Sequence, residues 1–477
     1  MVFLLSGCKK QSTEFTSPDK NICIKFYLDE RGIPYYNLSY KNELLIKDSQ
    51  LGLHLEDHPM DSALTLISVS FDLNKIAGSN LKRVSDSTFL YNELTAKVAR
   101  KDHEMDIIIR LYNEGVAIRY WLRGYENVVI EGDMTEMALT SDGMAFWSCE
   151  DRKDKLAKLD YYRGSFDQIS DVFKNTASVD SKSECYPDSI YVNTPFLFRT
   201  NSGKYLNFQQ LGLSEDTFYK LRMIPDQRKL FSSVNKNGQT KIVITLPYYS
   251  QWQTIGIAES SASLLASNMI YNLSIEEDQP KEEYRHPITE YNNNCYNNVV
   301  LPFSRHYGGN EEYALMSIGE TACSTIAHQL GLHVVFNRPL SIYENHSYSQ
   351  LTTHPVSRFL KELPAEWGET LILGGELGEF VVVARKDLYS DNWFIGGVGN
   401  GMEHEFSLSL DFLAPDKLYK ATLFEDGKNA DWLENPTDYT EQSIFVRKDN
   451  SLTFRFAPGG GFGIILKEVK NPYGILK

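Results

Sequence analysis

Long apolar runs are missing from this 477-residue chain. None approaches the roughly 20 residues that a bilayer-spanning helix needs. Basic residues are outnumbered, 48 Lys and Arg against 63 Asp and Glu, for a formal net charge of −15. That balance argues against nucleic acid as a partner, because phosphate binding needs clustered cations. A neutral ligand such as a sugar is compatible with it. Cysteine is scarce, six in all, and the residues at 23, 149, 185, 295 and 323 show no CxxC or other metal spacing. They make no disulfide framework, and five cannot all pair. Nucleotide and hydrolase fingerprints are lacking: no GxSxG, P-loop or Rossmann glycine motif stands in a suitable context. His328, His333, His346 and His354 are spaced too irregularly for a zinc site. No long internal repeat is present.

What is abundant is aromatic: 28 Tyr, 25 Phe and 6 Trp. Such residues fill strand cores and also stack on sugars. The length calls for two or three domains. The first residues, Met1-Val2-Phe3-Leu4-Leu5-Ser6-Gly7-Cys8, read as the end of an apolar signal segment. Leu5-Ser6-Gly7-Cys8 resembles a bacterial lipobox, in which Cys8 would be acylated. A basic leader and a longer apolar stretch do not precede it, which would place the true start further upstream. The other reading of residues 1–20 is a frayed tail with an incidental cysteine.

From residue 21 to about 273 the pattern is β. Asn21 to Leu28 alternates and meets a turn at Asp29-Glu30-Arg31-Gly32. Pro34 to Tyr40 alternates again. Met105 to Tyr112 ends at Asn113-Glu114-Gly115 and pairs with Val116 to Trp121; Lys241 to Leu246 stops at Pro247. Short β-branched and aromatic runs between turn residues predict a large antiparallel sandwich. Helical periodicity is nearly absent there. Residues 274–300, charged and then rich in Asn, read as a linker or splice. Beyond it Thr321 to Phe336 takes helical spacing, and Val356 to Leu363 is a short helix stopped by Pro364. Strands return at Glu379–Arg385, Trp393–Val398, Glu405–Leu410 and Tyr419–Phe424. Leu452–Ala457 and Gly459–Leu466 are expected to form a closing hairpin.

Several phrases together resemble glycoside hydrolase family 97. In the first half these are Gly32-Ile33-Pro34-Tyr35-Tyr36, Ser49-Gln50-Leu51-Gly52-Leu53 and Tyr112 through Tyr120. Later come Pro302-Phe303-Ser304-Arg305-His306-Tyr307-Gly308-Gly309, Ala327-His328-Gln329-Leu330, Pro364 through Thr370 and Val381-Val382-Val383-Ala384-Arg385. The resemblance implies an N-terminal β-sandwich, a (β/α)8 barrel and a small C-terminal β-domain. A whole barrel takes about 250 residues, rarely under roughly 200. Between Tyr271 and Gly397 there are only about 125 positions, too few by that measure. The expected class is therefore mainly β with an α/β remnant: sandwich over 21–273, truncated barrel over 301–398, C-terminal antiparallel β-domain over 399–477.

The family resemblance also implies a chemistry. Glycosidic cleavage needs one carboxyl to protonate the leaving oxygen and a second as base or nucleophile. Family members add a calcium ion held by carboxylates, and calcium wants six to eight oxygens. Glu344 falls where inverting members carry a basic catalytic Glu, or is a solvated loop residue beside Asn345 and His346. Glu362 falls at an expected calcium ligand, or is surface charge near a helix end. After Trp367 the acid-side position holds Gly368, or, with the alignment shifted by one residue, Glu369. Trp367 is a sugar-stacking platform or a core residue. In the sandwich, Gln210 occupies the place of a calcium-ligating Glu.

Three functions follow from the resemblance. The chain is a family member acting on or binding α-linked glucosides or galactosides with impaired catalysis, an active calcium-dependent α-glycosidase with a reduced barrel, or a non-catalytic glycan-binding envelope lipoprotein. The partner is an oligosaccharide or glycan, the membrane is reached only through an N-terminal lipid anchor, and the compartment is the periplasm or outer membrane of a Gram-negative bacterium.

Overall fold

The computed structural model describes residues 12–77, 89–124, 126–149, 160–176, 190–211, 220–233, 241–266, 294–304, 323–336, 356–364 and 366–470. Cys8 and Glu344 lie outside them. The chain divides into two compact units, the first holding most of residues 1–260 and 267–289, the second residues 261–266 and 290–477.

The first unit is built from antiparallel sheets. Ser12–Thr16, Ile22–Leu28, Pro34–Tyr40 and Glu43–Gln50 form a four-stranded meander. Its hairpin at Asp29 closes because Asp29 Oδ1 accepts from the Arg31 and Ile33 amides at 2.9 and 2.8 Å. Gly32 takes φ +68°, and a Cβ there would meet the Leu64 backbone at 2.4 Å, so only glycine fits. The largest sheet runs in the order Tyr161–Gly164, Gly143–Ser148, Phe196–Thr200, Tyr205–Leu211, Trp252–Ala258, Gly115–Leu122, His103–Tyr112, Phe89–Arg100 and Thr65–Ala77.

The two sheets share a core. Ile22, Ile24, Phe26, Tyr36 and Leu38 from the meander pack with Leu94, Ala96, Val98, Ile107 and Ile109 from the large sheet. Alternation in Ile22–Leu28 follows from that burial on one face. Trp252–Ala258 is buried along its whole length, so its apolar residues do not alternate with polar ones. One helix, Phe166–Thr176, interrupts the β pattern, against the expectation of almost no helix. Its signal is local: Gln168 Oε1 accepts from the Ser165 amide at 2.8 Å, half of a capping box, with Phe166, Ile169 and Val172 on one face.

The second unit carries a six-stranded antiparallel sheet in the order Trp367–Glu376, Phe380–Asp387, Trp393–Gly399, Gly461–Glu468, Tyr419–Asp426 and Tyr439–Val446. The expected boundary at 398/399 therefore falls inside one sheet, whose first three strands were assigned to the barrel remnant. His404–Ser409 and Ser451–Phe456 pair separately. The expected closing hairpin does not form: Ser451–Phe456 leaves for the small sheet, while Gly461–Glu468 inserts between two strands of the large one. Pro458-Gly459-Gly460 makes that corner, with Gly459 at φ +63°. Val382, Ile395, Leu423, Phe454, Phe456, Phe462 and Ile464 fill the space between the two sheets.

Helix Ile326–Val335 lies on the other face of the six-stranded sheet with Val356–Glu362 beside it. Leu330, Val334, Phe359, Phe394 and Phe424 form that core, each large side chain contributing roughly 1.5–3 kcal/mol. Gly331 lets the helix come down on the sheet, since a Cβ would stand 2.5 Å from Gly397 O. Thr325 caps its start by accepting from the His328 amide. Arg385, 2 % exposed, caps its end, donating to Val334 O at 2.6 Å, Val335 O at 3.1 Å and Thr370 Oγ1 at 2.8 Å. Among the described residues no helix is long and apolar enough to cross a membrane.

Candidate functional site

The described site residues fall in different units: Gln210 in the first, Glu362, Trp367 and Glu369 in the second. Gln210 is buried in strand Tyr205–Leu211, on the face that sends Leu206 and Phe208 into the sandwich core. It stands opposite Gln253, whose Nε2 donates to Asp133 Oδ2 at 3.1 Å. Glu362 forms an exposed ion pair with Lys467, 2.5 Å away. Trp367 is half-buried and packs edge-on against Phe394 at 5.5 Å between centroids, in the core around helix Ile326–Val335. Glu369 is exposed on the first strand of the six-stranded sheet.

Among the described residues no three His, Cys, Asp or Glu side chains group closely enough to hold a metal ion. A calcium site needs several converging oxygens. Gln210 within a hydrophobic core and Glu362 paired with a lysine do not supply that set, so the described residues do not fit the ion.

The perturbed ionisable groups are elsewhere. In the first unit Asp133 is buried, and its burial pushes the carboxyl up to about 6. Its Oδ1 accepts from the Thr135 amide at 2.9 Å and Thr135 Oγ1 at 2.6 Å. Tyr120, bonded to Thr135 Oγ1 at 2.6 Å and accepting from the Gly52 amide at 2.9 Å, extends the network. Every oxygen of Asp133 is thus engaged in holding strands together. On the opposite face of the large sheet, cations and rings form a ladder, Tyr91, Arg110, Trp252, Arg119, Tyr249, Trp121, Arg123, in which Tyr249 and Trp121 stack on each other and the guanidinium-to-ring distances are 3.7 to 4.7 Å. Glu93 and Asp106 anchor the ladder through Arg110 and Arg123. The abundance of aromatics is here spent on packing and cation–π contact.

In the second unit Asp426 ties the start of helix Ile326–Val335 to the glycine corner. It accepts from Thr325 Oγ1 at 2.6 Å and from the Ala457 and Gly461 amides at 2.9 and 2.8 Å. Burial raises it to about 6. His328 sits beside it with no exposed surface. Its Nδ1 bonds Gly460 O at 3.0 Å and its Nε2 bonds Asn298 Nδ2 at 2.9 Å. A carbonyl only accepts, so Nδ1 carries the hydrogen and Nε2 accepts from the amide. The ring is held neutral, and burial lowers it to about 4. His333, also buried, is lowered to about 4 by burial. None of these four groups was singled out as functional by the sequence reading; a buried carboxyl and a surface one look alike in sequence.

The fold is thus a β-sandwich unit and a second antiparallel β-unit. A glycosyl-hydrolase 97 N-terminal model matches residues 15–275, and a glycosyl-hydrolase 97 C-terminal, oligomerisation model matches residues 366–467. The chain belongs to glycoside hydrolase family 97. It is 31 % identical over 182 residues to a retaining alpha-galactosidase of Bacteroides thetaiotaomicron and 28 % over 171 residues to a probable retaining alpha-galactosidase of Streptomyces bingchenggensis. Each match covers 35 % of this chain, and the chain spans only about a quarter of these relatives, 27 % and 25 %. Its fold is similar to a family 97 enzyme from Pseudoalteromonas sp. strain K8 solved with acarbose, with TM-score 0.75, 17 % identity, and 96 % of this chain and 100 % of that one covered. A beta-arabinopyranosidase follows with TM-score 0.72 at 14 % identity over 96 % and 100 % of the two chains.

Proposed function

We propose that this chain is a glycan-binding member of family 97 whose hydrolysis of α-linked glucosides or galactosides is impaired or lost. One observation carries the reading: the two family models leave only residues 276–365 between them, 90 positions. A (β/α)8 barrel needs at least about 200. The barrel supplies the catalytic carboxylates in the family that the sequence resembles. Two substitutions support the same conclusion, Gln210 at a carboxylate position and Gly368 after Trp367. Oligosaccharides are the ligand class because the solved relatives were captured with panose and acarbose. Any calcium would depend on Glu344 and its neighbours outside the described residues. The lipobox-like Leu5-Ser6-Gly7-Cys8 supports an envelope location with Cys8 as the lipid anchor.

The test is release of aryl leaving group from α-glucosides and α-galactosides by the full chain, with calcium and with chelator, alongside calorimetric titration with malto- and galacto-oligosaccharides. The expected result is saturable binding without turnover. Calcium-dependent turnover that is abolished by Glu344→Gln or Glu369→Gln would sink the proposal and establish the active-enzyme reading.

A further inference from the structure

We propose that the solvent face of the four-stranded meander, residues 12–50, binds a glycan: Tyr27 and Tyr35 stack on uncharged pyranose rings while Asp48 and Asn37 hold a pair of neighbouring hydroxyls. The inference rests on the glycan-binding reading above and adds the place, the sandwich rather than the reduced middle of the chain. Alternation puts these residues on one face. Phe26, Tyr36 and Leu38 lie in the core, so Tyr27, Tyr35 and Asn37, their neighbours along the strands, take the opposite face. These three are half-buried, and Asp48 is exposed.

Tyr27 and Tyr35 are direct cross-strand partners. Their rings stand 5.7 Å apart between centroids and 23° from parallel, so each covers one face of the other and keeps its second face. Among the described residues no other ring and no cation contacts either of them. The ladder on the large sheet differs, because there the guanidinium groups of Arg110, Arg119 and Arg123 lie over the rings. On the far side of Tyr27 the edge strand offers Ser12, small and exposed. An open, electron-rich ring face attracts the weakly positive C–H groups of a pyranose and leaves its hydroxyls at the edge.

A bulge sets the polar partners. The pairing of Pro34–Tyr40 with Glu43–Gln50 slips between Tyr36 and Leu38. Asp48 takes φ +43° there, a left-handed conformation that favours glycine. Bulges of this kind re-aim a side chain. Here the carboxylate reaches across the intervening strand: Asp48 Oδ1 accepts from Tyr27 Oη at 2.6 Å, and the Asp48 amide donates to Asn37 Oδ1. The two bonds fix both side chains and leave Asp48 Oδ2 and Asn37 Nδ2 without a partner among the described residues. The first only accepts and the second only donates. Together they match two adjacent sugar hydroxyls, one donating to the carboxylate and the other accepting from the amide.

Charge selects the class of ligand. Lys25, opposite Asn37, is matched by Glu14 at 4.0 Å. With Asp48 as a further carboxylate, the face has no excess of cations to hold phosphate or a polyanion. Two open rings beside a fixed donor and acceptor fit a neutral glycan.

The experiment is calorimetric titration of the full chain with maltoheptaose and with an α-galacto-oligosaccharide. Tyr35→Ala should weaken binding about tenfold or more, while Tyr35→Phe, which keeps the ring, stays within about twofold of the wild type. Asp48→Ala should also weaken binding. If Tyr35→Ala fails to fold, hydrogen exchange of the wild type decides, with sugar expected to slow exchange in peptides covering residues 23–50. Wild-type affinity in Tyr35→Ala, or protection confined to peptides outside residues 23–50, overturns the proposal and leaves the glycan-binding reading standing. A wild-type chain that binds neither sugar sinks both.

Discussion

Acidification should loosen the second unit, and the size of the effect can be worked from three side chains. His328 and His333 are buried neutral on helix Ile326–Val335, each lowered to about 4 from 6.5. The unfolded chain binds these protons below pH 6.5 and the folded one only below about 4. Stability from each histidine is therefore complete above pH 6.5 and lost as pH falls from 6.5 to 4. At about 1.36 kcal/mol per pH unit this is roughly 3 to 4 kcal/mol per histidine. Asp426 acts in the opposite sense. It is raised from 3.8 to about 6, so its folded form binds the proton first, and stability rises by roughly 3 kcal/mol as pH falls from 6 to 3.8. The balance is a loss of about 4 kcal/mol between pH 6.5 and 4, close to a thousandfold in the opening equilibrium.

Two variants separate the contributions. His333→Leu should remove about half of the histidine loss, and since His333 Nδ1 has no hydrogen-bond partner among the described residues, neutral-pH stability should hold. Asp426→Asn removes the opposing carboxyl and should steepen the acid loss toward roughly 7 kcal/mol. Hydrogen exchange read by mass spectrometry on peptides covering residues 326–335 isolates this unit from the first. An acid slope unchanged by His333→Leu would refute the argument that buried neutral imidazoles set it.

Two further outcomes follow from the packing. Asp133→Asn should abolish a fall in first-unit stability of about 3 kcal/mol between pH 4 and 6, since burial raises Asp133 to about 6; urea titration at pH 4.5 and 7.5 followed by exchange in strand Asn127–Asp133 checks it. Gly331→Ala should lower the melting temperature although alanine is the better helix former by about 1 kcal/mol, because the new Cβ meets Gly397 O at 2.5 Å and Phe462 O at 2.8 Å. An unchanged or higher melting temperature would show that the helix can lift without cost.

Alternation made Ile22–Leu28 and Pro34–Tyr40 legible, because each buries one face in the sandwich, whereas the His103–Tyr112/Gly115–Leu122 hairpin, buried on both faces over most of its length, was legible from its β-branched and aromatic runs and the Asn113-Glu114-Gly115 turn. Strand Trp367–Glu376 was not legible as a strand. Gly374 and Gly375 lower its β-propensity, yet they are needed where Phe406 and Phe303 press on the backbone. The closing hairpin failed for a related reason: proximity in sequence favours pairing, but the glycine corner sends the two runs into different sheets. At the candidate site the limit is long range. Nothing in the sequence around Glu362 announces Lys467, 105 residues away, and nothing around Asp133 announces Gln253.

The persistence of the two ends of the family fold beside so short a middle has a physical basis. Every core cluster among the described residues is closed within one unit: meander against large sheet in the first, small sheet and helices against the six-stranded sheet in the second. Asp133 and Asp426 likewise satisfy their oxygens with groups of their own unit. The second unit also draws on the stretch between the two family models: helix Ile326–Val335 and Phe359 fill the core on one face of the six-stranded sheet, and Thr325 donates to Asp426. Catalysis is more demanding. It requires acid, base and any metal ligands to converge, and the family places these in the barrel, where 90 positions now stand.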